Sequence, residues 1–170
     1  MVKQLTDEYI KLYGKRKAVL LRAALCYFRV PRFRVRVLVR KCVACGNKNR
    51  HLRKKLQLRY GVEIGSGCVI GEGLSLPHYN GIVIGEGTVI GDNCTIYQQV
   101  TLGQKNGGYP VLGNNVTVYP GARIIGNIRI GDNAVIGANA VVLNDVEEGQ
   151  TVAGVPARVI SAREIKNDKS

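Results

Sequence analysis

One of the two histidines of the chain, His78, lies in the glycine-rich stretch LPHYNGIVIGEG at residues 76–87. An imidazole with a pKa of about 6.5 is largely neutral near pH 7 and can accept a proton from a weak nucleophile such as a hydroxyl group. His78 is therefore a candidate general base. The alternative is a histidine that only hydrogen-bonds to the backbone of a turn.

A second group with chemical potential is Cys42-Val-Ala-Cys45, with His51 nearby. The spacing is typical of metal or redox sites, but no second cysteine pair supplies the remaining ligands of a zinc site. The chain has five cysteines, an odd number, and we recognise no signal peptide at its start. We therefore expect reduced thiols that are buried or incidental, a cytoplasmic protein and no metal.

An internal repeat must position these residues. From residue 64 onward an aliphatic residue recurs every six positions, commonly followed by glycine, as in Ile90-Gly91. This period fits no helix, and it predicts a β-solenoid whose aliphatic side chains point inward and stack from coil to coil. Glycine would tolerate the backbone angles of a corner. Asparagine and aspartate, which both tolerate left-handed conformations, recur at the turns too, as in Gly91-Asp92-Asn93, Gly113-Asn114-Asn115 and Gly131-Asp132-Asn133.

The repeat is interrupted twice. Ile84 follows Leu76 by eight residues instead of six, and Leu112 follows Leu102 by ten. The extra residues must leave the coil as a bulge or loop, and repeat proteins use such departures for binding. The first interruption contains His78, which favours a functional role for this histidine.

Charge is distributed unequally along the chain. Residues 1–60 contain 18 of the 25 Lys and Arg residues and two acidic residues, a net charge of +16, whereas residues 61–170 carry −3. This pattern favours attraction to a polyanion such as an anionic membrane, an acidic glycan or nucleic acid. The alternative is a set of solvated charges on amphipathic helices. No uncharged apolar run is long enough for a transmembrane helix.

The pattern divides the chain into a basic, largely helical extension at residues 1–60, a solenoid at 61–162 and a tail at 163–170. Residues 3–28 have helical periodicity, and Pro31 should end that helix. The segment FRVRVLVR at 33–40 fits either a strand or a surface helix. After the repeats, VPARVISAREIKN suggests a proline turn followed by a short helix that caps the solenoid.

The repeats, the stretch LPHYNGIVIGEGTVIGDNCTI and the segment GVPARVI resemble the hexapeptide-repeat acyltransferases. The resemblance covers about residues 60–162 and is closest to the serine O-acetyltransferase branch, including relatives that acetylate capsular or exopolysaccharide sugars. It implies a mainly β fold, a left-handed parallel β-helix, with acetyl-CoA as co-substrate. It also implies a homotrimer that binds acetyl-CoA in a groove between neighbouring coils of two subunits.

The resemblance also assigns site residues. His78 matches the general base, and Glu63 matches the aspartate that supports the imidazole, although the Asp-x-His-Pro context of the family is missing. The backbone amide of Gln104 matches the donor to the oxyanion. Residues that match coenzyme A contacts, with Lys105 as a further basic candidate, are Pro120, Ala138 and Arg158.

The resemblance fails at the residues that bind serine in the family. Gly108-Tyr109 and Pro77 stand where those enzymes have an arginine-histidine pair and an aspartate. An amino acid acceptor needs partners for its ammonium and carboxylate groups. We therefore prefer O-acetylation of a sugar hydroxyl on a surface polysaccharide or its lipid-linked precursor. Tyr79, Asn80 and Tyr109 would form the acceptor site.

Other functions stay open at this point. A serine O-acetyltransferase of cysteine biosynthesis is the first alternative, and a sugar N-acetyltransferase is a related one. A non-catalytic scaffold or polyanion binder is a further class, although nucleic acid is a poor fit because we recognise no nucleic-acid motif. The basic extension would hold the enzyme at the inner face of a membrane or near an acidic glycan.

Overall fold

The computed structural model describes residues 6–7, 9–10, 14, 19–46 and 48–162. Within these ranges the helices with complete bounds before the repeats are α1 Val19–Arg29, α2 Pro31–Ala44 and α3 Arg50–Tyr60, and residues 6–7 and 9–10 are helical as well. Much of the predicted helix over residues 3–28 lies outside the described residues, and its described part in α1 is helical. As expected, α1 ends before Pro31, which begins the next helix because proline fits the first helical position.

The segment at 33–40, which fits two structures by pattern, is part of helix α2. Phe33 and Val37 lie four residues apart and pack into a small cluster with α1. Val35 and Val39 have the same spacing and join the core of the solenoid instead. The strand-like alternation arises because α2 lies between two apolar layers and buries two faces.

Helix α3 attaches the N-terminal helices to the first coil. The side chain of Asn49 accepts a hydrogen bond from the backbone amide of Leu52 at 3.0 Å and caps the helix. Gly61 ends it in a left-handed conformation with φ 64°. Between these ends, Leu52, Leu56 and Tyr60 are buried against the solenoid core.

The repeats form a parallel β-solenoid, as predicted. Its strands, in chain order, are β1 Val62–Ile64, β2 Val69–Ile70, β3 Ile82–Ile84, β4 Val89–Ile90, β5 Thr95–Ile96, β6 Thr101–Gly103, β7 Val111–Leu112, β8 Thr117–Val118, β9 Arg123–Ile125, β10 Arg129–Ile130, β11 Val135–Ile136, β12 Val141–Val142, β13 Gln150–Gly154 and β14 Ala157–Ala162. We name the three sheets face A (β1-β3-β6-β9-β12), face B (β2-β4-β7-β10) and face C (β5-β8-β11-β13-β14). Each coil visits A, B and C in turn, so corners AB, BC and CA separate the faces.

The six-residue period places the aliphatic residues in vertical columns. On face A, Ile64, Ile84, Leu102, Ile124 and Val142 are in register from coil to coil. All five are at most 2% exposed. The core is therefore a set of stacked side chains, in which each inner coil packs against the coils above and below it.

The glycine that follows the aliphatic residue was expected because of its backbone angles, but the structure requires it for lack of space. The backbone of Gly91 is not in the left-handed region, but a Cβ atom there would lie 2.5 Å from the carbonyl oxygen of Gly113 on the next coil. Glycine is needed because the coils approach closely at the corner. Of the predicted turn residues, the asparagines at the second position of each pair are left-handed, with φ values of 56°, 57° and 60° at Asn93, Asn115 and Asn133, whereas Asp92 and Asp132 are not.

The prediction of a helix after the repeats is wrong for the described residues. β14 at Ala157–Ala162 is a strand that pairs antiparallel with β13 through a turn at Val155-Pro156. The β-branched residues Val159 and Ile160 suit a strand, and the free edge of β13 offers backbone partners. Residues 163–170, the remainder of that prediction, lie outside the described residues.

The described helices contain 11, 14 and 11 residues. A helix that crosses a bilayer needs about 20 apolar residues. No helix within the described ranges meets that requirement.

Candidate active site

The first interruption of the repeat leaves the solenoid at corner CA, between Ser75 on face C and β3 on face A. His78 is exposed there and lines an open cleft of about 800 Å³, which we call the His78 cleft. Helix α3 forms the opposite wall of this cleft, because it packs directly on the first coil. Besides His78, the lining residues used below are Gln57, Arg59, Tyr60, Pro77, Tyr79, Asn80 and Gln98.

Aromatic rings continue from His78 along corner CA. The centroid of the His78 ring lies 6.4 Å from that of Tyr97, at an interplanar angle of 33°. The Tyr97 ring stacks on Tyr119 of the next coil at 5.4 Å and 8°. Sequence reasoning missed Tyr97, although both tyrosines directly follow a buried repeat residue, Ile96 or Val118. That common position was the available signal.

Gln98 is a second cleft residue that sequence reasoning did not single out. Its side-chain Oε1 atom is buried and has no hydrogen-bond partner among the described residues. A buried polar atom without a partner costs free energy, so such an atom at a cleft is a candidate ligand contact. The Oε1 atom of Gln98 can therefore accept a hydrogen bond from a ligand bound in the His78 cleft.

Of the predicted acceptor residues, Tyr79 and Asn80 lie in the His78 cleft. Tyr79 packs edge-to-face against Tyr60, with ring centroids 6.2 Å apart. Tyr109 lies elsewhere, because its ring covers the backbone of Gly85, where a Cβ atom would lie 2.6 Å from the ring. Within one chain the structure therefore does not bring the three predicted residues together.

Glu63 and Tyr109 line a second cleft of about 350 Å³ at corner AB, which also contains Arg53 and Glu86. The carboxylate of Glu63 accepts a hydrogen bond from Nε2 of Gln57 at 3.1 Å. The expected hydrogen bond, in which the imidazole of His78 would donate to the carboxylate of Glu63, is absent among the described contacts, because the two residues line different clefts. Gln57 lines both clefts.

The second interruption is a compact hairpin at corner AB. The backbone groups of Lys105 and Gly108 form two reciprocal hydrogen bonds of 3.0 Å. Asn106 and Gly107 between them have φ values of 52° and 83°, the pattern of a type I′ turn. Gln104 precedes this hairpin, and no described residue accepts a hydrogen bond from its backbone amide. That amide is available to a ligand.

Three of the four predicted coenzyme A contacts follow one another along the solenoid. Pro120 and Ala138 occupy equivalent positions of corner CA, and the backbone amide of Asn139 donates to the carbonyl of Pro120 at 2.9 Å. Arg158 is exposed on β14, paired with Ala153. The fourth, Lys105, lies at corner AB and is separate from this row.

The cysteines are free thiols in the structure. Burial raises the pKa of Cys42 and Cys94, and it raises the pKa of Cys68 to about 11. Cys45 is exposed. Within the described ranges no three His, Cys, Asp or Glu side chains are grouped so that they would hold a metal ion.

Comparison with known proteins agrees with this architecture. Residues 109–144 match the family described as bacterial transferase hexapeptide (six repeats), and residues 59–77 match the hexapeptide repeat of succinyl-transferase. A serine acetyltransferase of Synechococcus elongatus is 47% identical over 116 residues, which is 66% of this chain and 48% of that protein. The chain thus spans about half the length of the curated relatives that it matches.

Solved structures extend the similarity to the helices. A serine acetyltransferase in complex with CoA is 33% identical with a TM-score of 0.77, over 94% of this chain and 70% of that one. The Neisseria gonorrhoeae serine acetyltransferase in complex with serine is 34% identical with a TM-score of 0.74, over 92% and 68% of the two chains.

A hexapeptide solenoid with a histidine cleft at its first interruption defines a class, and the chain belongs to the hexapeptide-repeat acyltransferases, with their left-handed β-helix. Within that family it belongs to the serine O-acetyltransferase-like branch.

Proposed function

We propose that the protein transfers an acetyl group from acetyl-CoA to a hydroxyl group of an acceptor, with His78 as the general base. The observation that carries this proposal is the exposed imidazole in an open cleft at the first interruption of the solenoid. A serine acetyltransferase that is 47% identical to this chain over 116 residues supports the same chemistry.

The chemistry follows from the groups available. Acetyl-CoA supplies an activated thioester. His78 takes the proton from the acceptor hydroxyl as its oxygen forms a bond to the thioester carbon. The backbone amide of Gln104 donates to the oxyanion that develops. The imidazolium of His78 then returns the proton to the departing sulfur.

Pro120, Ala138 and Arg158 fit an extended thioester ligand. Pro120 and Ala138 present backbone groups on successive coils, and the exposed guanidinium of Arg158 matches the geometry of a phosphate. We propose that these residues bind coenzyme A and that Lys105 is a further basic contact to it.

A homotrimer would join the two halves of the site. His78 lies at corner CA, whereas Gln104 and Tyr109 lie at corner AB of the same chain. A closed threefold arrangement can place corner AB of one subunit opposite corner CA of the next. Gln104, Tyr109 and Lys105 would then act on the His78 cleft of a neighbouring subunit.

L-serine is the first acceptor to test. The relatives and the serine complex favour this alternative over the sugar acceptor that the loop residues suggest. The His78 cleft offers groups that the sequence pattern did not reveal. Arg59 makes no ion pair within the described part of the chain and can bind a carboxylate, and Gln98 Oε1 can accept from an ammonium group.

A sugar hydroxyl is the second candidate. The His78 cleft has a volume of about 800 Å³ and contains two tyrosine rings, Tyr60 and Tyr79, beside the amide of Asn80. Flat rings and neutral amides suit the faces and hydroxyls of a sugar. A polysaccharide or a lipid-linked precursor would fit an open cleft of this size.

The deciding experiment measures release of coenzyme A from acetyl-CoA by the purified protein, with L-serine and a panel of sugars and glycan fragments in parallel. Turnover with serine, together with a raised KM for serine in Arg59→Gln, would establish the first candidate. Turnover only with glycans would establish the second. Absence of turnover with every hydroxyl acceptor, in protein shown to be folded, would count against the proposal.

A further inference from the structure

Helix α1 has one buried side and one exposed side, and both are apolar. Ala23 is fully buried, and Cys26 and Tyr27 pack against the same small cluster with Phe33 of α2. This side holds α1 on the rest of the molecule. It leaves the opposite side of α1 without a partner in the described structure.

The exposed side carries four large apolar residues: Leu20, Leu21, Leu25 and Phe28, exposed by 58%, 64%, 44% and 73%. At about 100° per residue these side chains fall within an arc of about 140° on the helix. We call them the α1 stripe. Scattered apolar residues on a surface need no explanation, but four on one face of an 11-residue helix indicate a contact surface.

Basic side chains border the α1 stripe. Arg22 and Arg29 are exposed and lie next to the α1 stripe on one edge of the helix. If Leu20 is placed at 0°, the α1 stripe ends at about 140°, Arg29 lies at about 180° and Arg22 at about 200°. At its end, Phe28 shares a groove of about 280 Å³ with Lys55 and Arg59 of α3. Neither Lys55 nor Arg59 makes an ion pair with any residue that the structure describes.

We infer that the α1 stripe and its basic border are a docking surface for an anionic lipid bilayer. A bilayer can bury the leucines and the phenylalanine while its phosphate groups pair with the surrounding cations. A soluble polyanion would satisfy the charges and leave the α1 stripe exposed. A second copy packed on the α1 stripe would bring two N-terminal segments of net charge +16 together, and these repel each other, unlike the solenoid segments, which carry −3 each.

Docking at the α1 stripe has a consequence for the active site. Arg59 and Tyr60 line both the groove beside Phe28 and the His78 cleft. The cleft therefore opens next to the docking surface, where a membrane-borne acceptor would reach it. The docking inference itself does not depend on which acceptor is used.

The test is co-sedimentation of the full chain with vesicles of phosphatidylcholine alone or of equal parts phosphatidylcholine and phosphatidylglycerol. We expect binding to the mixed vesicles only, and it should weaken with salt because the Debye length falls from about 10 Å at 0.1 M to about 3 Å at 1 M. Leu25→Glu should bind about tenfold more weakly, which corresponds to about 1.4 kcal/mol.

Leu143→Glu is the matched control, because Leu143 is 42% exposed, close to the 44% of Leu25, and lies in the solenoid after β12. It should bind like the wild type. Equal binding by Leu25→Glu, or equal binding to both vesicle types, overturns the inference. Sedimentation velocity without vesicles tests whether a second copy of the chain, instead of a bilayer, covers the α1 stripe. A smaller assembly in Leu25→Glu than in the wild type would identify the α1 stripe as an interface between copies and overturn the inference.

Discussion

Replacement of His78 by alanine should separate catalysis from folding more cleanly than any other single change. The side chain is exposed, no described hydrogen bond involves it, and its nearest described ring contact is Tyr97 at a centroid distance of 6.4 Å. Surface substitutions of this kind usually change the free energy of unfolding by less than about 0.5 kcal/mol. We therefore expect a folded variant with nearly wild-type stability.

The effect of this replacement on turnover should be far larger. General base catalysis contributes about 10²- to 10⁴-fold, which is about 2.7–5.5 kcal/mol of transition-state stabilisation. The loss of activity should therefore exceed the change in stability at least about fivefold on the free-energy scale. A decrease of about 0.5 kcal/mol in the free energy of unfolding cannot produce such a loss of turnover.

The assay follows coenzyme A release with the acceptor that supports turnover in the deciding experiment and measures urea-induced unfolding on the same preparations. His51→Ala is the matched control, because His51 is the other histidine of the chain and is exposed on α3. It should leave both quantities unchanged. If His78→Ala keeps turnover within about fivefold of the wild type, the general-base assignment is wrong.

Three further changes test other parts of the structure. Gly91→Ala should lower the free energy of unfolding by about 1–3 kcal/mol, since the new Cβ would lie 2.5 Å from the Gly113 carbonyl; an unchanged urea midpoint would contradict the close coil contact. Burial raises the pKa of Cys68 from 9.0 to about 11, so between these pH values the thiol keeps its proton in the folded protein and loses it in the unfolded chain. Stability should fall as pH rises through that range, by at most about 2.7 kcal/mol, and Cys68→Ala should flatten this dependence. Gln57→Ala removes the hydrogen bond to Glu63, and kcat should fall about fivefold if this contact, worth about 1 kcal/mol, supports catalysis. An unchanged kcat would assign that bond to structure alone.

Sequence patterns predicted the solenoid because its period is a local property. Each coil repeats the same inward aliphatic position, so Ile84 or Ile124 can be assigned to the core without knowledge of the neighbouring coils. The same reasoning located both interruptions and the Asp and Asn turns, in which Asn93, Asn115 and Asn133 are left-handed. It failed for β14, whose strand structure depends on the edge of β13 as a pairing partner.

The candidate site was predicted less completely. His78, Tyr79 and Asn80 are consecutive in the chain, so one loop carries them into the same cleft. Gln57 and Arg59 reach that cleft from α3, and no spacing in the sequence relates a helix before the repeats to a loop within them.

By itself, the sequence determined the repeat, the position of its interruptions and the histidine within the first one. These features follow from short-range periodicity and from the chemistry of single side chains. Only the tertiary structure decided that Glu63 bonds to Gln57, that α3 lines the His78 cleft, and that α1 exposes an apolar face. Each of these depends on how α3 and the coils pack, because contacts between distant segments are set by packing in three dimensions.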